Sequence, residues 1–134
     1  MGTFKVPVVL TSMDGERSVE IEMVAGTRAI WTAVPACKLR ELGIEPDHFR
    51  KMLDTVGDGR ILGEAQAWAA IDGRRVPTTV VFEDDDRPAL LGSHTLSGLF
   101  LDVDTDAEKI VPAKLVMREV PSVVPHPSPR YDLP

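Results

Sequence analysis

From Thr3 to Val24 apolar side chains recur at every second position, and the pattern breaks once. Phe4, Val6, Val8 and Leu10 share one face of a first run, and Val19, Ile21 and Met23 share one face of a second. A period of two is strand periodicity, because successive side chains on a strand point to opposite faces. Between the runs lies Met13-Asp14-Gly15-Glu16, a turn signal, since Asp-Gly tolerates positive φ. The spacing therefore predicts a β-hairpin over Thr3–Thr11 and Ser18–Val24. A hairpin with one apolar face must find a core, so the rest of the chain has to supply more sheet.

The remaining pattern does so. Gly26 to Val34 reads as a loop returning into an extended piece. Pro35 stands where a helix can begin and Gly43 where it can end, with Leu39 and Leu42 as its apolar stripe. Residues 44–54 carry no clear period. Gly57-Asp58-Gly59-Arg60 is a second tight turn, and Ile61–Ile71 and Val76–Phe82 read as strands about Asp72-Gly73. Glu83–Asp86 reads as a solvated acidic loop, Ala89–Gly92 as a short buried strand, and His94–Leu99 as a short helix capped by Ser93 or Thr95. Leu101–Asp104 and Lys109–Arg118 are the last expected strands. Eleven prolines and ten glycines argue against a helical bundle. The expectation is an all-β domain over residues 1–118, a small closed barrel with one or two short helices. Residues 119–134 form a proline-rich tail, with five prolines in the last fourteen positions.

Composition narrows the function. A length of 134 residues suits one domain. A net charge of −6 leaves no basic footprint for nucleic acid. No apolar run approaches the ~20 residues of a membrane helix, so no membrane partner is expected. The start lacks a signal-peptide core, and Val6 stands where an acylation signal at Gly2 needs Ser or Thr. One cysteine, Cys37, excludes an internal disulfide and fits a reducing, cytoplasmic compartment. It reads as a small packed residue, or as a thiol acidified by the start of its helix. His48, His94 and His126 form no spaced metal pair, and Asp102, Asp104 and Asp106 lack the glycine and final glutamate of a calcium loop. No metal and no cofactor is expected. Trp31 and Trp68 read as core, with the lining of a cleft as the alternative for Trp68.

Two segments share one plan: an extended run, a glycine, a turn and a short helix. The first is Gly26-Thr27-Arg28-Ala29-Ile30-Trp31-Thr32-Ala33-Val34-Pro35 followed by Leu39-Arg40-Glu41-Leu42-Gly43, and the second is Leu90-Leu91-Gly92 followed by Leu96. In order and spacing this resembles the retropepsin-like aspartic proteases, over residues 3 to 115. The resemblance implies a homodimer, a flap hairpin at Gly57, Asp58, Gly59 and Arg60, and a second motif at Leu90, Leu91 and Gly92. It also implies that Thr27 lies at the dimer axis, its hydroxyl bonded to the partner's loop.

The resemblance fails where the chemistry lies. The family's Asp-Thr-Gly-Ala falls on Gly26, Thr27, Arg28 and Ala29, so glycine replaces the catalytic acid. Moving the register by two puts Val24 there instead, still without an acid. Peptide hydrolysis by this route needs two carboxylates sharing a proton about a water. The resemblance therefore implies an inactive homologue, a pseudoenzyme whose dimer cleft holds an extended peptide. The rivals are an active homodimeric aspartic endopeptidase with an acid recruited from elsewhere, and an assembly domain with no ligand.

Overall fold

A computed structural model of the chain describes residues 2–53 and 59–114. Gly57 and Asp58 of the expected flap turn, the end of the last expected strand and the tail at 119–134 lie outside the described residues. The first hairpin forms as the alternation requires. β1 (Phe4–Thr11) and β2 (Ser18–Ala25) pair antiparallel, from Phe4 opposite Ala25 to Thr11 opposite Ser18. Val6, Val8, Leu10, Ile21, Met23 and Ala25 all point into the core. The turn is held by its own side chains. The Ser12 hydroxyl donates to the Asp14 carboxylate at 2.5 Å, and the Glu16 N–H donates to the same oxygen at 3.0 Å.

β3 (Thr32–Pro35) runs directly into α1 (Ala36–Glu41). The helix stops at Gly43, whose φ of +77° lets its N–H reach the Arg40 carbonyl while Ile44 bonds back to Leu39. Leu39 is fully buried; covering such a side chain is worth roughly 1.5–3 kcal/mol. The stretch without a clear period contains β4 (His48–Leu53), which pairs with the first half of β5 (Gly59–Ile71). The second half of β5 pairs with β1, and β6 (Arg74–Glu83) lies along its other edge. Ala65, Ala67, Ala69 and Ile71 form the core face of β5. β6 pairs in parallel with β3. After α2 (Ser93–Gly98) the chain ends its described course in a separate ladder of β7 (Leu101–Asp104) and β8 (Lys109–Pro112).

The strand ladders do not make the expected closed barrel. Their order is β2-β1-β5-β6-β3, with β4 also on β5, and the path is open at β2 and β3. What spans the opening is one short segment, Ala89–Leu91. The N–H and C=O of Leu90 both bond to Ala33, and Val24 donates to Ala89 and accepts from Leu91. A barrel needs a continuous ladder at every seam; here Ala89–Leu91 supplies single bridges, and the two ends are pinned rather than zipped.

Four further expectations are corrected. Glu83 is no solvated loop residue. It is the buried end of β6, opposite Pro35, with Arg60 bonded to its carboxylate at 2.8 and 3.3 Å. Trp31 and Trp68 stay outside the core: Trp31 meets His94 at 4.9 Å between ring centres with the rings tilted by 56°, and Trp68 lies under the Arg75 guanidinium. α2 has no side-chain cap, because Ser93 is already helical and Thr95 is buried elsewhere. Cys37 is exposed rather than packed, and partial desolvation together with the neighbouring Asp85 carboxylate raises its thiol pKa instead of lowering it. Among the described residues no helix is long and apolar enough to cross a membrane.

Two buried acids set the expected pH response. The Arg50 guanidinium grips Glu64 through two bonds of 2.8 and 2.9 Å, and holds its carboxyl below the ordinary value of 4.5 despite burial. For Glu83 burial opposes the charge, and the bonds from Arg60 and from the Asp84 N–H outweigh it, so that pKa is lowered too. A depressed folded-state pKa contributes stability above the unfolded value and loses it as pH falls through the folded one. The melting temperature is therefore expected to hold near neutrality and to fall below pH ~4.5, and Glu64→Gln should flatten part of that fall. Thermal melts from pH 7 to 3 check this; an equal slope in the variant would show that Glu64 carries none of it.

Candidate functional site: the Gly26–Ile30 loop and its floor

The loop after β2 is positioned by the pinned segment beneath it. Ser93 donates its N–H to the Ala29 carbonyl at 3.0 Å, and His94 donates to Ile30 at 2.9 Å. The start of α2 thus carries the turn of the loop. The approach is possible because residue 92 is glycine. A Cβ there would lie 2.4 Å from the Ile30 carbonyl oxygen and 2.4 Å from the Trp31 carbonyl carbon, both backbone atoms.

Three buried threonines lock the floor. The Gly92 N–H donates to Thr32 Oγ1 at 3.0 Å, Thr32 and Thr95 share a hydroxyl bond of 2.6 Å, and Thr95 and Thr78 share one of 2.8 Å. All three are essentially fully buried. Since the Gly92 amide can only donate, the Thr32 proton is free to point at Thr95. The chain ties β3, α2 and β6 to the second motif. Thr32 and Thr78 escaped the sequence reading; their only signal was a threonine at an inward position of an apolar strand.

In the loop itself, Thr27 Oγ1 accepts from the Ala29 N–H at 3.1 Å, and its own proton remains to donate. Gly26 sits at φ +84°, and a Cβ there would meet the Gly2 carbonyl at 3.1 Å. Arg28 is exposed, and no ion pair or hydrogen bond engages its side chain among the described residues. Residues 26 to 29 therefore present a backbone turn, a hydroxyl and a cation, with no carboxylate.

Beside the loop is a cleft of about 250 Å³ lined by Gly26, Thr27, Ser93, Ser97 and Asp102 among others. Asp102, on β7, is the carboxylate the sequence reading did not bring here. Its Oδ1 accepts the Val103 N–H at 2.7 Å. Asp104 is used locally, capping the next turn through the Asp106 and Ala107 amides. Of the expected flap, Arg60, near the turn end of the β4–β5 ladder, is tied to Glu83 and Asp84, and Gly59 pairs with Leu53. Leu90, Leu91 and Gly92 lie directly beneath the loop.

No family model matches the chain, and no curated protein matches it. Among solved structures it is similar to the crystal structure of a retropepsin-like aspartic protease from Rickettsia conorii. The identity is 18%, the TM-score 0.51, and the match covers 78% of this chain and 89% of that one. The likeness shows a retropepsin-like fold: mostly β, with two short helices.

Two substitutions test how the floor is built. Gly92→Ala must displace backbone, and should destabilise by ~3 kcal/mol or more. Thr95→Val keeps the shape but leaves two hydroxyls short of a partner, with an expected cost of about 1–3 kcal/mol. Urea unfolding of both variants measures this. A Gly92→Ala variant as stable as the wild type would mean the loop does not need its close contact with the floor.

Proposed function

We propose that this chain is a homodimeric protein of retropepsin-like fold that does not hydrolyse peptides through an aspartate dyad and binds an extended peptide in its dimer cleft. One observation carries the reading: the position expected to hold the catalytic acid is Gly26, with a left-handed backbone. Glycine can neither take nor give a proton, so two copies of the loop supply no shared-proton pair. Arg28 suits the same reading, since an uncommitted guanidinium favours a carboxylate-bearing ligand and opposes a second cation on the axis. A peptide lying along the flap hairpin would gain main-chain bonds by strand addition.

Asp102 supports a second reading, an active aspartic endopeptidase that recruits its acid from β7. Its carboxylate lines the cleft that Gly26 and Thr27 also line.

Sedimentation at tens of micromolar should give a dimer, and Thr27→Val should weaken it by on the order of 1 kcal/mol. A melt of the same variant separates loss of the loop bond to Ala29 from loss of a bond across the axis. Purified wild type is expected to release no product from unstructured peptides, with or without pepstatin. Pepstatin-sensitive cleavage would overturn the proposal; if Asp102→Asn then abolished it, the second reading would stand in its place.

A further inference from the structure

The cation of the Gly26–Ile30 loop and the acid of the cleft beside it are each unmatched within one chain. Arg28 is exposed, and among the described residues no ion pair engages it. Asp102 is the one charge among the described residues that line the cleft. Its Oδ1 accepts the Val103 N–H at 2.7 Å, and no cation pairs with it among the described residues. Thr27 lines this cleft, and Arg28, the next residue, does not. The loop thus turns its hydroxyl residue to the cleft and carries its cation outside it.

The cleft suits a guanidinium on an apolar stem. At about 250 Å³ it is smaller than the roughly 300–1,000 Å³ of small-molecule sites, and it fits one long side chain. A guanidinium brings five N–H donors and no acceptor. The cleft offers the Asp102 carboxylate and the hydroxyls of Ser93 and Ser97, which stand one turn apart on α2. Leu101 and Val103, on β7, give the methylenes of a stem an apolar wall. No lysine, arginine or histidine stands in the lining among the described residues.

We infer that this cleft is a socket for Arg28 of a second copy of the chain, so that two Arg28–Asp102 pairs form across the dimer axis. The inference rests on the dimer reading above and deepens it. With Thr27 at the axis, the partner's loop lies against this one, and the residue that follows the partner's Thr27 is the cation brought to the cleft. Two-fold symmetry makes the exchange reciprocal. It also relieves the repulsion between two guanidiniums at one axis, because each is drawn to an opposite carboxylate. The carboxylate that Arg28 favours is then the partner's Asp102, and the acid that an active endopeptidase would recruit is already engaged.

The test is charge reversal on the full chain, read by sedimentation. Arg28→Asp sets an acid against Asp102, and Asp102→Arg sets a cation against Arg28. Each variant alone is expected to dimerise about tenfold or more less tightly than the wild type. Both positions are exposed, and a melt of each variant checks that it folds. The two variants are then mixed, one of them carrying a fluorophore on the exposed Cys37, which lies outside the cleft. The mixture should form a heterodimer at least about tenfold tighter than either homodimer. In the heterodimer each reversed charge meets its opposite only if the pair runs between chains; a pair within one chain would gain nothing from mixing. A monomeric wild type would overturn the dimer reading, and this inference with it. A dimeric wild type whose affinity neither reversal lowers, or a mixture no tighter than its components, would overturn the inference and leave the dimer reading standing.

Discussion

The backbone bonds of residues 89–91 are the constraint on which the rest of this structure depends. Without them, β2 and β3 are the loose ends of an open sheet. With them, Val24 and Ala33 are fixed on either side of one short segment, and the loop between β2 and β3 must turn over it. The next residue, Gly92, makes the contact close, and the Thr32–Thr95–Thr78 hydroxyls make it specific. Buried hydroxyls are costly when unpaired and directional when paired, so this small polar chain selects one arrangement of β3, α2 and β6. The loop is thus held from below, and what it displays depends on its side chains alone.

Those side chains separate scaffold from chemistry. The fold matches a retropepsin-like protease in outline, while the loop offers a glycine, a threonine and an arginine. The two buried acids among the described residues lie elsewhere. Glu64 and Glu83 sit on the two strands at the base of the hairpin, each held charged by an arginine from a neighbouring segment. Such pairs fix strand positions more than they add net stability, since desolvation offsets much of the attraction.

Much of the fold was legible because its signals are local. The β1–β2 hairpin follows from alternation about Asp14-Gly15, and the end of α1 follows from Gly43. β4 was hidden because its residues face opposite environments: Phe49 is exposed while Arg50 turns to a buried acid, so no apolar period survives. Glu83 was misread for the complementary reason. It is the first of four consecutive acids, and only Arg60, twenty-three positions upstream, makes it a buried strand end. Barrel closure was overestimated because a motif of three residues reads as a strand in sequence, yet pairs only once on each side. At the site, Gly26, Thr27, Arg28 and Gly92 were legible as a spaced pattern. Asp102 and the threonine chain were not, because they arrive by long-range packing.

The left-handed backbone at Gly26 gives this loop a direction in sequence space. An L-residue placed there pays roughly 1–2 kcal/mol in strain before it gains anything, and it crowds the Gly2 carbonyl. The chain meets such a cost elsewhere, with Asp72 and Glu108 both held at positive φ. A carboxylate at residue 26 is thus one substitution away in sequence, but it carries a burden of backbone strain, and the bonds that hold Ala29 and Ile30 to the floor keep the loop from turning to escape that burden.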